Sequence, residues 1–195
     1  GYVMEIKEYL DKYGIVGVVS NYKISLDLDS TVSDLNIKNF EKACKMVKID
    51  GNILNKKLSE LSVSELFKVE FMSKLDKKVI IIGNMSSRLI LKDIEYFKKL
   101  IIKLNSEYNK KFVIIDKDIS VFFDLVKRVF VVNGKKVLYS TSDFFDDKLY
   151  RYASEPQVVK FIECVNKKKK ILKNNTDILE VLKDIYRSIW WNIKL

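Results

Sequence analysis

Apolar and polar positions along the chain follow two periods, and the switches between them outline its elements. A short helix is expected over 5–13, followed by Ile15-Val16-Gly17-Val18-Val19, an apolar β-branched run of strand length. Phe40, Ala43, Cys44 and Val47 recur at helical spacing, and Gly51-Asn52 is expected to close that helix as a C-cap. Ser62 followed by Glu65 predicts a capping box that opens a second helix, with Leu66, Val69 and Ser73 on one face. Val79-Ile80-Ile81-Ile82 reads as a buried strand flanked by lysines, and Ile94, Phe97, Ile101 and Leu104 then mark an amphipathic helix. Phe112 to Ile115 is the next predicted strand and Val121 to Lys127 a short helix. Val129 to Val132 and Lys136 to Tyr139 are predicted strands joined by a tight Asn133-Gly134 turn.

Strands separated by crossover helices and ending in a hairpin predict an α/β fold: a mostly parallel sheet with an antiparallel edge and flanking helices. Beyond Asp147 the chain reads as helical. Val158, Phe161, Ile162 and Val165 form one stripe, and Ile178, Val181, Leu182 and Ile185 another; Lys167 to Lys170 and Asn174-Asn175 lie between them. Trp190-Trp191 would either lid this small helical core or anchor a partner.

Composition narrows the chemistry. A chain of 195 residues has room for one α/β core plus a short helical appendage. With 48% hydrophobic and 32% charged residues it has the makeup of a globular protein. No histidine is present, which excludes imidazole catalysis and most zinc sites. Cys44 and Cys164 sit far apart among apolar helical residues, as buried thiols of a reducing compartment would. No apolar run is long enough to span a bilayer and the N-terminus lacks the order of a signal peptide, so a cytoplasmic location is expected. The net charge of +10 raises a nucleic-acid reading, but the lysines are spread among acidic residues on every helix, as on a solvated surface.

Several short segments, in order, resemble the second half of an ATP-binding-cassette (ABC) ATPase. Val16-Gly17-Val18-Val19-Ser20-Asn21 is similar to the strand leading into the Q-loop, with Asn21 the counterpart of its glutamine. Thr31-Val32-Ser33-Asp34-Leu35 is similar to the TVxEN segment that follows. Leu61-Ser62-Val63-Ser64-Glu65 stands where the family has its LSGGQ signature. Val79 to Met85 resembles the Walker B strand, and Ser86-Ser87-Arg88-Leu89-Ile90 the D-loop. Val113-Ile114-Ile115-Asp116-Lys117-Asp118 resembles the switch strand, with Lys117 in place of the family's histidine, and Val131 to Tyr139 the hairpin beyond it. Ser154 to Phe161 and Thr176 to Glu180 are similar to the tail of energy-coupling-factor (ECF) ATPases, which helps two such subunits dimerise. The resemblance implies a truncated ABC-ATPase-like, P-loop NTPase-like domain over 1–147 with a helical arm at about 31–75. A C-terminal helical extension of the ECF dimerisation type follows over 148–195.

The departures from the family pattern bear on activity. A P-loop wraps phosphates with glycine backbone N–H groups and supplies a lysine and a hydroxyl, yet no G-x-x-x-x-G-K-[ST] occurs in the chain. In the family that loop lies several dozen residues before the Q-loop strand, so the chain is expected to begin after it. Gly83 and Asn84 stand where the resemblance places the magnesium-holding aspartate and the water-polarising glutamate, and neither side chain can do that work. Lys117 could touch a phosphate without filling the orienting role of histidine. Ser62 and Ser64 keep the chemistry of an anion site at a helix N-terminus, although Val63 crowds it and the capping box accounts for the segment by itself.

The resemblance therefore implies a non-hydrolysing homologue, catalytic residues none, with Asn21, Ser62, Ser64 and Lys117 as the positions to inspect for phosphate contact. No metal site is expected, and ATP with magnesium would require a partner subunit or an upstream loop. The implied partner is a protein: an ABC ATPase, a membrane coupling subunit that would hold the chain at the inner face of the membrane, or a second copy. The competing expectation is an interaction or nucleic-acid-binding module that retains only the fold; nucleic acid is not the expected partner. A truncated sheet should also leave an edge or face exposed, or covered by a partner.

Overall fold

The computed structural model describes residues 2–132 and 136–140. In chain order these form α1 (Tyr2–Tyr13), β1 (Ile15–Val19), α2 (Phe40–Val47), α3 (Val63–Ser73), β2 (Val79–Gly83), α4 (Met85–Arg88), α5 (Leu91–Tyr108), β3 (Lys111–Asp116), β4 (Arg128–Val132) and β5 (Lys136–Ser140). The sheet runs β2-β3-β1-β4-β5. β1 lies parallel to β4, with Val18 opposite Phe130, and β5 returns antiparallel along β4, with Val131 opposite Val137. The architecture is α/β, a mostly parallel sheet with flanking helices. The Asn133-Gly134 turn, Cys164, Lys167 to Lys170, Trp190-Trp191 and the whole of 148–195 lie outside the described residues.

The chain divides into two compact units, Gly1–Asn21 with Val113–Leu195, and Tyr22–Phe112. In the first unit, Leu10 of α1 packs on Val16 and Val18 of β1, Val113 of β3 and Phe130 of β4. Tyr9 meets the edge of the Phe130 ring at 5.7 Å. Every residue of β1 is buried, as a central strand covered on both faces requires. Gly17 is needed here because the Phe122 ring lies only 2.9 Å from where its Cβ would stand.

In the second unit the core is aromatic. Phe97 of α5 meets Phe67 and Phe71 of α3 edge-on at 5.1 and 5.2 Å, and Phe71 stacks on Phe112 at 6.3 Å. Ile94, Phe97, Ile101 and Leu104 are all buried, as the period of α5 predicts. The span 31–75 contains α2, α3 and the 3-10 turns Ser33–Leu35, Gly51–Ile53 and Leu58–Glu60. The start of β3 is tied to the start of β2 by the Lys111 N–H, which donates to the Lys78 carbonyl at 2.9 Å.

Four local expectations need correction. Helix α2 ends at Lys48, whose left-handed conformation (φ 59°) lets its N–H close on the Cys44 and Lys45 carbonyls; Gly51-Asn52 instead opens a 3-10 turn capped by the Asp50 carboxylate. The helix expected over 121–127 is a single 3-10 turn, Ile119–Phe122, because Asp124 takes a left-handed φ of 60° that no helix tolerates. Strand β2 is buried on one face only: it ends the strand order, and Val79 and Ile81 are 40% and 44% exposed while Ile80 and Ile82 are fully buried. On α3 the buried residues are Phe67, Val69, Glu70, Phe71 and Met72 rather than a stripe of Leu66, Val69 and Ser73. That breadth brings a carboxylate into the core.

Candidate functional site

The six residues singled out from the sequence fall into three places. Asn21 and Lys117 follow the C-terminal ends of β1 and β3, neighbouring strands of the first unit's sheet. Ser62 and Ser64 stand at the start of α3, and Gly83 and Asn84 close β2. The two serines come together, with their Oγ atoms 3.4 Å apart.

At the α3 terminus the capping box is complete. Ser62 Oγ accepts from the Glu65 N–H at 3.2 Å, and Glu65 Oε1 accepts from the Ser62 N–H at 2.9 Å. The bond from the Ser62 backbone holds the Glu65 carboxyl below its ordinary value. Val63 is 60% exposed beside them. Two of the N-terminal donors that an anion would use are thereby already satisfied within the helix.

The end of β2 is built differently. Asn84 adopts a left-handed conformation (φ 58°, ψ 36°) that turns the chain from the strand into α4. Its Nδ2 donates to the Tyr22 carbonyl at 3.1 Å, which fixes the backbone of an irregular segment beside the strand. The Tyr22 ring is then laid against Gly83, so that a Cβ on residue 83 would fall under 3.0 Å from Cβ, Cγ and Cδ1 of the tyrosine. Glycine carries no side chain to conflict with the ring, and any other residue at 83 would have to displace it.

The far end of Tyr22 reaches a buried charged cluster that sequence reasoning missed. Its hydroxyl donates to Glu70 Oε1 at 2.9 Å and accepts from Lys74 Nζ at 3.1 Å. Burial pushes the phenol's pKa well above its ordinary value, and the Glu70 charge adds to the effect. Glu70 is 1% exposed and is approached by Lys74 at 3.7 Å and by Arg88 Nη1 at 3.4 Å. Arg88 Nη1 also donates to the Gly83 carbonyl at 3.2 Å, and Lys74 Nζ to the Ile81 carbonyl at 2.6 Å. Burial lowers the Lys74 pKa, an effect that the Glu70 charge opposes. Glu70 Oε2 and Arg88 Nη2 are buried without a hydrogen-bond partner. One signal was available in the sequence: Glu70 interrupts Phe67-Lys68-Val69-Glu70-Phe71-Met72, an otherwise largely apolar stretch, one helical turn before Lys74.

Chemically, the end of β2 offers an amide engaged with the backbone and an aromatic ring laid against a glycine. Among the described residues no group of three or more acidic, cysteine or histidine side chains is placed to hold a metal ion. No helix among them is long and apolar enough to cross a membrane.

No protein-family model matches the chain, and no curated protein matches it either. Solved structures do. The dimeric ATP-binding cassette MJ0796, in a post-hydrolysis state bound to ADP and phosphate, is 20% identical at a TM-score of 0.51 and covers 64% of this chain. An archaeal ribosome recycling factor, aABCE1, in complex with the ribosomal stalk protein aP1, is also 20% identical at 0.51 and covers 80%. The protein cbiO1 from Clostridium perfringens, part of an ABC transporter complex, is 18% identical at 0.49 and covers 83%. The chain spans 62% of the MJ0796 cassette, 32% of the recycling-factor chain and 69% of cbiO1. Identities at this level establish fold alone. What this chain shares with the first two is the ABC-ATPase fold.

Proposed function

We propose that this chain is a non-hydrolysing ABC ATPase homologue of the ECF type, a pseudo-ATPase that acts by pairing with a competent ATPase, a coupling subunit or a second copy. The observation that carries the reading is the closed end of β2. On the alignment of motifs, Gly83 occupies the position of the magnesium-holding carboxylate, and the Tyr22 ring fills the space that carboxylate would need. The next residue, Asn84, spends its amide on the Tyr22 carbonyl rather than on a water.

A magnesium–nucleotide complex does not fit these residues, and no catalytic step is assigned to them. Phosphoryl transfer depends on metal clamps and positioned groups, each worth orders of magnitude in rate. A fold kept with its core intact but with its strand end plugged is suited to binding partners rather than to turnover. The capping box at Ser62 supports the same reading, since it satisfies within the helix two donors that a partner's nucleotide would otherwise engage.

The test is steady-state ATP hydrolysis by the purified chain with magnesium, run beside isothermal titration with ATP and affinity capture of cassette ATPases. No turnover above the blank, together with a stoichiometric ATPase partner or a stable homodimer, is the expected result. Magnesium-dependent turnover that disappears on substitution of Asn84 would overturn the proposal.

A further inference from the structure

The proposed pairing leaves unexplained what keeps the end of the sheet from joining strands at random. Among the described residues β2 ends the strand order, and one of its faces exposes Val79 and Ile81. An apolar, β-branched edge of this kind is a template for adding another strand. Immediately before β2, the Lys78 carbonyl accepts from the Lys111 N–H at the start of β3, which fixes the side of β2 that faces its neighbour. Carbonyls alternate in direction along an extended strand, so those of Ile81 and Gly83 point to the free side. Both are already engaged by side chains: Lys74 Nζ donates to the Ile81 carbonyl at 2.6 Å, and Arg88 Nη1 to the Gly83 carbonyl at 3.2 Å.

We propose that Glu70, Lys74 and Arg88 form a lock on the free edge of β2, which keeps a second copy of the chain from adding there as an antiparallel strand. Charge pairing alone does not account for the cluster, because two cations meet one carboxylate. The edge does account for it: Glu70 Oε1 holds both cations, and each cation caps one outward carbonyl. The Tyr22 hydroxyl braces the lysine, accepting from Lys74 Nζ at 3.1 Å while donating to Glu70 Oε1 at 2.9 Å. A second copy is the strand that fits this edge. In an antiparallel register centred on Ile81, Val79 of one copy faces Gly83 of the other, and the Lys77-Lys78 pairs stand at opposite ends of the ribbon instead of facing one another. The central bonds of that register need the Ile81 carbonyl, the one that Lys74 holds. The inference goes beyond the pairing reading by naming a surface through which the wild-type chain does not pair.

Two variants open the lock. Lys74→Met keeps most of the stem, removes the ammonium and leaves Glu70 paired with Arg88. Lys74→Gln is shorter and uncharged, and serves as a second opening in case the first does not fold. Each is combined with Ile81→Lys, which would set two lysines directly opposite one another at the centre of the antiparallel register. Each is also combined with Ile102→Lys, which adds the same charge at an exposed position of α5 away from the edge. Every purified protein is checked for wild-type circular dichroism and followed by sedimentation velocity over a series of concentrations.

The expected result is self-association at least tenfold tighter in Lys74→Met and Lys74→Gln than in wild type, reversed by Ile81→Lys and retained with Ile102→Lys. Folded opening variants that associate no more than wild type overturn the lock. A gain that survives Ile81→Lys places the contact elsewhere and overturns it too, as does a gain that Ile102→Lys also abolishes, which would be general stickiness. Failure of both opening variants to fold would make Lys74 an indispensable part of the core rather than a guard of the edge. Association is read against the wild type's own state, so a pairing surface elsewhere on the chain leaves the comparison intact. The hydrolysis measurement is untouched by any of these results, so the two proposals fail separately.

Discussion

Replacing Arg88 by Met tests whether the buried cluster holds the second unit together. The substitution keeps the bulk of the side chain's stem and removes a guanidinium that contacts Glu70 Oε1 at 3.4 Å and the Gly83 carbonyl at 3.2 Å. Glu70, at 1% exposure, cannot turn to water for compensation. It retains Lys74 at 3.7 Å and the Tyr22 hydroxyl at 2.9 Å. Removing one partner of a buried ion pair costs about 3–5 kcal/mol, and the remaining lysine places this case at the lower end, about 3 kcal/mol. With a urea m-value of about 1.5–2 kcal/mol per molar, the unfolding midpoint falls by about 1.5–2 M. Adding Glu70→Gln to the variant removes the stranded charge and recovers about 1–2 kcal/mol, so a double-mutant cycle shows strong coupling. An Arg88→Met midpoint within about 0.5 M of wild type at unchanged m would refute the reasoning, since it would mean the pair is solvated.

Other consequences are smaller or more local. Ser62→Ala removes one half of the capping box and should lower stability by about 1 kcal/mol in the same urea assay. Gly17→Ala places a methyl 2.9 Å from the Phe122 ring and should cost about 1–3 kcal/mol. The Glu65 carboxyl is held below its ordinary value by the Ser62 backbone N–H, so its contribution is present above the ordinary carboxylate range and disappears as pH falls through the lowered value. Glu65→Gln should therefore flatten that part of the acid limb, seen as a smaller loss of urea midpoint below about pH 4.3.

The regular elements were legible because each has a strong period and a short-range cause. The α5 stripe of Ile94, Phe97, Ile101 and Leu104 and the Ser62–Glu65 reciprocity both follow from spacing on a helix. Features that depend on neighbours distant in sequence were not legible. That Val79 and Ile81 are exposed depends on β2 ending the strand order, which a run of four apolar residues cannot reveal. The left-handed Lys48 and Asp124 override the caps and helix that local propensity favours. At the candidate site, Gly83 and Asn84 were singled out by motif order, but the ring that leaves no room for a side chain at 83 lies 61 positions earlier, at Tyr22. Glu70, Lys74 and Arg88 look like ordinary surface charges until α3, β2 and α4 are brought together around them.

The plugged strand end also determines what placing an acidic residue at position 83 would do. Gly83→Asp supplies the carboxylate that the motif resemblance expects at this position, yet its Cβ enters the space of the Tyr22 ring. The ring must then abandon the 2.9 Å bond to Glu70 or the strand must shift, so the single variant should be destabilised by about 1–3 kcal/mol, as overpacking is. Pairing it with Tyr22→Gly, which removes Cβ as well as the ring, relieves the overlap and should return part of that loss, so the two changes are not additive. Under the proposed reading, hydrolysis still does not follow. Asn84 cannot polarise a water as a glutamate does, and the chain contains no glycine-rich phosphate loop with its lysine. Urea midpoints of the two single variants and the double variant, measured beside magnesium-dependent ATP turnover, separate the two claims. Additive stabilities would show that Tyr22 does not occupy the position of the carboxylate, and turnover in the double variant would overturn the proposed non-hydrolysing reading.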